Sequence, residues 1–188
     1  MFIAISGISG SGKSTVMANL IKRRDNLYLL TQASATTRKI REEDNKYQTY
    51  VHMTEDEFKK GVEDDIFIEH ENVHGYSYGT LKKAFERVVD HKENDYIKDI
   101  DVKGTVNLKK YLQSKVKMVS IFLDAPDEVL RERLLSRGES SERIDVRLSR
   151  GEFERSYKDR YDLVIENTDL AKTLDIICDF LDKTRAQN

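Results

Sequence analysis

The chain has 188 residues, near the upper end for a single domain, and its 38% apolar and 35% charged residues make a globular composition rather than a disordered one. Its 32 basic and 34 acidic side chains leave a formal charge of −2, which excludes the overall basic field that a nucleic-acid scaffold uses. A single cysteine, Cys178, excludes an internal disulfide, and no apolar run reaches the length of a membrane span. Cys178 sits at helical spacing among Leu174, Ile177 and Leu181 and reads as a small buried hydrophobe. The start MFIAIS lacks the charged region and long apolar core of a signal peptide, so a cytoplasmic protein with no nucleic-acid or membrane partner is expected.

In chain order, apolar runs bounded by turn residues predict strands at Phe2 to Ser6, Leu27 to Leu30, Tyr96 to Ile100, Met118 to Leu123 and Leu163 to Glu166. Helical spacing predicts helices at Lys13 to Arg23, Thr54 to Lys60, Thr80 to Val89, Thr105 to Gln113, Pro126 to Ser136, Ser141 to Tyr157 and Leu170 to Lys183, with a disordered tail from about Arg185. This alternation of strand and helix is what a parallel sheet with crossover helices requires. Ser34 to Tyr78 interrupts it with short extended pieces around Tyr47 to Val51 and Ile66 to Glu71, which reads as a small mixed lobe. Arg133 to Arg155, dense in arginine and glutamate, interrupts it again as a second candidate moving part.

The stretch GISGSGKST, Gly7 to Thr15, fits GxxxxGK[ST] between a strand and a helix. Glycines at 7, 10 and 12 let the backbone N–H groups of this loop, including those of Ser9 and Ser11, turn onto phosphate oxygens. Lys13 then reaches the β and γ phosphates and Ser14 offers a hydroxyl to Mg²⁺. A nucleoside triphosphate is the expected ligand, with Mg²⁺ arriving on it. The four histidines are scattered and no Cys/His cluster has metal-ligand spacing. Asp99, at the carboxyl end of a predicted central strand, is the second metal candidate, through a bound water.

An acceptor site follows from SATTRKIREED and FIEHENVHGYSYGT. A monophosphate dianion needs several fixed donors, which Arg38, Arg41, Tyr50 and Tyr78 can supply. A base with two adjacent N–H donors beside a carbonyl would suit the rest of the set, since the Glu69 carboxylate can accept both donors while the Ser34 and Thr80 hydroxyls donate to the carbonyl.

These segments resemble those of guanylate kinase, in the order TTRxxR (Thr36 to Arg41), YYGT (Tyr78 to Thr80) and ILDIDxQG (Ile97 to Gly104, here IKDIDVKG), with the likeness running from the phosphate cradle to VIENTDL. The resemblance implies an α/β P-loop fold of three layers, with a central parallel sheet, a small mixed GMP-binding lobe and a helical lid. Its core spans 1–33, 80–132 and 158–184, its lobe 34–79 and its lid 133–157. It implies phosphate transfer from ATP to GMP, and to dGMP, in a monomer or homodimer. It also places Ser34, Glu69, Thr80 and Asp101 at the guanine, Arg133, Arg137 and Arg147 on the lid, and Asn167 at the adenine. Lys13, Arg38, Arg137 and Arg147 are the expected catalytic cations. A turn-forming role for Asn167 is the alternative.

Several residues depart from the pattern. Lys39 to Asp44 lacks the usual proline and glycine, and Asp44 replaces a glutamate of longer reach. Ile8 replaces a proline and is expected to matter only as backbone. The stretch between Arg137 and Ile144 is one residue short. Lys98 replaces an apolar residue and is expected to snorkel its ammonium toward acidic groups near the nucleotide site. Lys103 stands where glutamine is common. A kinase of shifted base specificity, or a catalytically silent binding module of the same fold, are the alternatives to a guanylate kinase.

Overall fold

The computed structural model describes residues 1–40, 50–73 and 75–187. In chain order its elements are β1 (Phe2–Gly7), α1 (Lys13–Arg23), β2 (Leu27–Leu29), β3 (Ser34–Thr36), β4 (Tyr50–His52), α2 (Glu55–Glu63), β5 (Phe67–Val73), β6 (Tyr76–Leu81), α3 (Lys82–Asp90) and β7 (Asp95–Asp99), followed by α4 (Val102–Leu112), β8 (Met118–Asp124), α5 (Asp127–Leu135), α6 (Ser141–Ser149), α7 (Gly151–Arg155), β9 (Leu163–Glu166) and α8 (Leu170–Ala186).

The central sheet runs β2-β7-β1-β8-β9 with every neighbour parallel. β1 and β8 lie inside it and are apolar on both faces, as strands covered by helices on either side must be. One face packs Ile3, Ile5 and Ile97 against Leu20 of α1 and Leu174, Ile177 and Leu181 of α8. The other packs Phe2, Ala4 and Leu30 against Phe85 and Val88 of α3 and Leu108 and Leu112 of α4. This is the expected three-layer α/β arrangement. Cys178 is only partly buried at the edge of the first cluster.

A second, mixed sheet runs β4-β3-β6-β5. One of its faces buries Ala35 and Phe67 against Phe58 of α2. α2 is held at its start by a reciprocal cap between Thr54 and Glu57. Among the described residues no helix is long and apolar enough to cross a membrane.

Four sequence expectations change. Thr80, read as a helix start, belongs to β6 and pairs with Ser34, because a β-branched residue with partners on both sides is held by the ladder. α4 begins three residues earlier than predicted, since the Asp101 carboxylate caps it by accepting from the N–H groups of Lys103 and Gly104. The helix read over Ser141 to Tyr157 divides into α6 and α7 at Arg150, with Gly151 buried at the start of α7. The tail expected to be disordered from Arg185 is helical to Ala186, with Arg185 bonded to buried Asp95.

Candidate active site

β1 ends where its backbone meets that of β8. Gly7 has φ +144, and a Cβ there would stand 2.0 Å from the Leu123 carbonyl oxygen, so only glycine fits. The loop then turns through Gly10 and Gly12, both at positive φ, and Gly12 caps α1. Lys13 folds back over this cradle, its ammonium donating to the carbonyls of Gly7 at 2.6 Å and Ile8 at 3.1 Å. Burial pushes that ammonium below the usual lysine range, opposed by the fields of Glu154 and Asp99 and reinforced by those of Arg137 and Arg147. Arg137 and Arg147 are thus near enough for their charge to be felt at the Lys13 ammonium. Ser14, Thr15 and Asp99 are exposed beside it.

The acceptor side is built by strand register. Tyr50, Ser34, Thr80 and Glu69 form one cross-strand row through the mixed sheet, and His52, Thr36, Tyr78 and Glu71 form a second row two residues on. Residues two apart share a face, so the candidate GMP residues point the same way. They line a cleft of about 620 Å³ whose far wall carries Gly7, Lys13 and Asp99. Arg38 follows β3, is buried to 9% exposure and has its guanidinium carbon 5.5 Å from the centre of the Tyr50 ring. The Tyr50 and Tyr78 rings meet edge to face at 6.2 Å. Arg41 and Asp44 lie outside the described residues, as does most of the extended piece expected from Tyr47.

Glu69 accepts a 2.6 Å hydrogen bond from the Thr80 hydroxyl. Thr80 therefore orients the carboxylate in this geometry, and the Ser34 side chain lines the same cleft. Burial raises the Glu69 carboxyl above the usual glutamate range, with the Thr80 bond opposing and the charges of Asp101 and Glu71 adding to the rise. Asp101 lines the same cleft while capping α4.

Asn167 lies under the cradle at 4% exposure. Its amide nitrogen donates to the Ser11 carbonyl at 2.7 Å and its amide oxygen accepts from the Thr173 hydroxyl at 2.9 Å. Both ends of the amide are engaged within the protein, so in this geometry it pins the loop. Arg133 braces the same loop through the carbonyls of Gly10 and Asn167. Arg147 donates to the Ser9 hydroxyl and pairs with Glu139, whereas Arg137 is exposed. Ile8 is more than backbone: fully buried with Phe122 and Leu130, it fastens the cradle to α5.

Lys98 does not reach the acidic groups expected of it. The residue is 5% exposed and, among the described residues, its ammonium reaches no carboxylate; burial lowers its affinity for a proton, against the field of Asp99. Sequence reasoning also missed Arg150, between α6 and α7, and Phe153 and Glu154 of α7, which line the cleft. Only the density of charge in that stretch could have flagged them. Burial holds the Glu154 carboxyl above its usual range, opposed by the fields of Lys13 and Arg150.

Comparison with known proteins agrees with this arrangement. The family model described as guanylate kinase matches residues 2–184. A guanylate kinase of Bacteroides thetaiotaomicron is 38% identical, covering 96% of this chain and 90% of the relative. One of Chlorobium chlorochromatii is also 38% identical, covering 92% and 90%. The crystal structure of guanylate kinase from Anaplasma phagocytophilum superposes with a TM-score of 0.73 at 29% identity, covering 98% of this chain and 85% of that one. With a matching family model across nearly its whole length and relatives of this similarity, the chain belongs to the guanylate kinase family.

Proposed function

We propose that the protein transfers the γ phosphate of ATP to GMP, and to dGMP, by direct in-line displacement. The observation that carries this reading is one cleft with a phosphate cradle on one wall and, on the other, a strand-register row running from Tyr50 to Glu69.

At the acceptor, ionised Glu69 takes N1–H and N2–H of guanine, Ser34 donates to O6, and Asp101 adds a second acceptor for the amino group. Thr80 holds Glu69 in place. Arg38, Arg41, Tyr50 and Tyr78 hold the monophosphate and aim one of its oxygens at the donor, with Asp44 beside them. At the donor, the cradle from Gly7 to Thr15 binds the triphosphate, and Lys13 leaves the Gly7 and Ile8 carbonyls for the β and γ oxygens. Asn167 serves ATP by keeping that loop in shape. Segments 34–79 and 133–157 act as lobe and lid on the core, and closure brings Arg133, Arg137 and Arg147 over the transferred group and excludes water.

Ser14 and Asp99 would hold Mg²⁺. They fit it as hard oxygen donors that are exposed and form no hydrogen bond or ion pair among the described residues. No group of three or more His, Cys, Asp or Glu able to hold a metal occurs among those residues, which suits a cation carried in by the nucleotide. Bound there, it neutralises charge on the β and γ oxygens.

A coupled assay of ATP and Mg²⁺ with each nucleoside monophosphate tests the reading. GMP and dGMP should be converted and AMP, UMP and dTMP should not. Turnover of a pyrimidine nucleotide without GMP would remove the guanine assignment and leave a kinase of other specificity. No turnover with weak ATP binding would leave a silent module.

A further inference from the structure

Lys98 stands on β7, inside the central sheet between β1 and β2. It pairs in register with Ala4, whose methyl group is buried with Leu30, Ala33 and Phe85. The small neighbour leaves room for a lysine stem to lie along the sheet. Its ammonium reaches the cleft, where Lys98 is among the lining residues, and lies 6.0 Å from the centre of the Tyr50 ring. The Arg38 guanidinium faces the same ring. Among the described residues the ammonium has no hydrogen bond and no ion pair, and the adjacent Asp99 is exposed to solvent. A nearly buried cation with an aromatic face as its contact lacks the partner that such a charge requires.

The position of Lys98 along the cleft says which part of the acceptor supplies that partner. In the row from Tyr50 to Glu69, the carboxylate that suits the base is at one end, on β5, and Tyr50 is at the other, on β4. Lys98 and Arg38 both lie at the Tyr50 end. A base contact there is out of place, whereas a phosphate oxygen completes the charge.

We propose that Lys98 is a further ligand of the acceptor's phosphate, its Nζ donating to a non-bridging oxygen of the monophosphate that Arg38 and Tyr50 also hold. The inference rests on the GMP reading above. Lys98 adds a point charge to a guanidinium and a phenol, and so makes recognition depend on the phosphate more heavily than the arginines alone would.

The test measures equilibrium binding of GMP and of guanosine, with no ATP present, to wild type, Lys98→Met and Lys98→Arg, together with steady-state rates and melting temperatures. Lys98→Met should weaken GMP by about 10- to 100-fold, the worth of one hydrogen bond to a charged group. Guanosine binding and the KM for ATP should not change. The KM for GMP should rise by a similar factor, with a much smaller fall in kcat at saturating GMP. Lys98→Arg should recover most of the loss. Lys98→Met should also melt at or above the wild-type temperature, because an unpaired buried charge has gone, and a residue that only packs would not combine a stable fold with phosphate-selective loss. Unchanged GMP affinity in folded Lys98→Met, or an equal loss for guanosine, overturns the proposal. If Lys98→Met does not fold, Lys98→Gln is read by the same criteria. Wild type that fails to convert GMP removes the substrate reading and this proposal with it; normal wild-type turnover with unaltered GMP binding in the variant removes the role of Lys98 alone.

Discussion

Glu69 is placed under two opposed demands. In the proposed complex it must be ionised to accept two N–H groups of guanine, yet burial, with the charges of Asp101 and Glu71 and against the Thr80 bond, raises its pKa. GMP binding should therefore weaken as pH falls through that raised value, at a higher pH than an ordinary glutamate would give. The KM for GMP measured from neutral to mildly acid pH checks this, and Glu69→Gln should raise KM by about 10- to 100-fold and flatten the pH dependence. The sign for stability is the reverse. A carboxyl with a raised folded pKa contributes stability below its unfolded pKa and loses it as pH rises through the folded value. At neutral pH the ionised Glu69 is thus a burden on the fold, and Glu69→Gln should melt higher than wild type while binding GMP worse.

At the scale of elements, β8 ends in Asp124, where the segment after α7 is moored. Arg155 Nε lies 3.0 Å and Lys158 Nζ 2.6 Å from the same carboxylate oxygen. Burial works against the ionised form, but the bonds from Arg155 and Lys158 and the N–H of Ala125 outweigh it and hold the carboxyl below the usual aspartate range. That contribution is present above the unfolded pKa of aspartate and is lost as pH falls through the depressed one. Asp124→Asn should lose about 1–3 kcal/mol in urea unfolding at neutral pH, a gap that closes in acid. No motif marks Asp124, because it needs two cations that arrive some thirty residues later. The five central strands were legible to within a residue or two, since an apolar run bounded by turns carries its own signal. β3 and β6 were not. SAT and YSYGTL have no clear alternation and are strands only because each has a partner. The individual candidates Ser34, Glu69 and Thr80 could be read from chemistry and resemblance, but the row that aligns them is a matter of register, and so is the bond that turns Thr80 from the base to Glu69.

Across the whole molecule, Lys103 of α4 links distant segments: it pairs with Glu71 of β5 at 3.0 Å and stands 5.8 Å from the centre of the Phe153 ring on α7. Sequence reasoning saw in Lys103 only a departure from glutamine, since its partners come from distant segments. The same separation in sequence governs the cradle. Its nine residues come from the first strand, the turn after it and the start of α1, yet the loop is pinned by Asn167, and β1 lies between β7 and β8. During synthesis at about 5–20 residues per second, roughly ten seconds or more pass between the first glycines of the loop and the asparagine that holds them. The emerging chain should therefore carry the cradle's letters long before it carries the cradle. Ribosome-bound chains arrested after Arg160 and displayed beyond the exit tunnel should fail to retain a fluorescent ATP analogue, while chains displayed through Gln187 should bind it. Equal binding by both would show that the loop holds its shape without Asn167. On this reading ATP binds only once the last strand is in place, and it cannot assist folding before then.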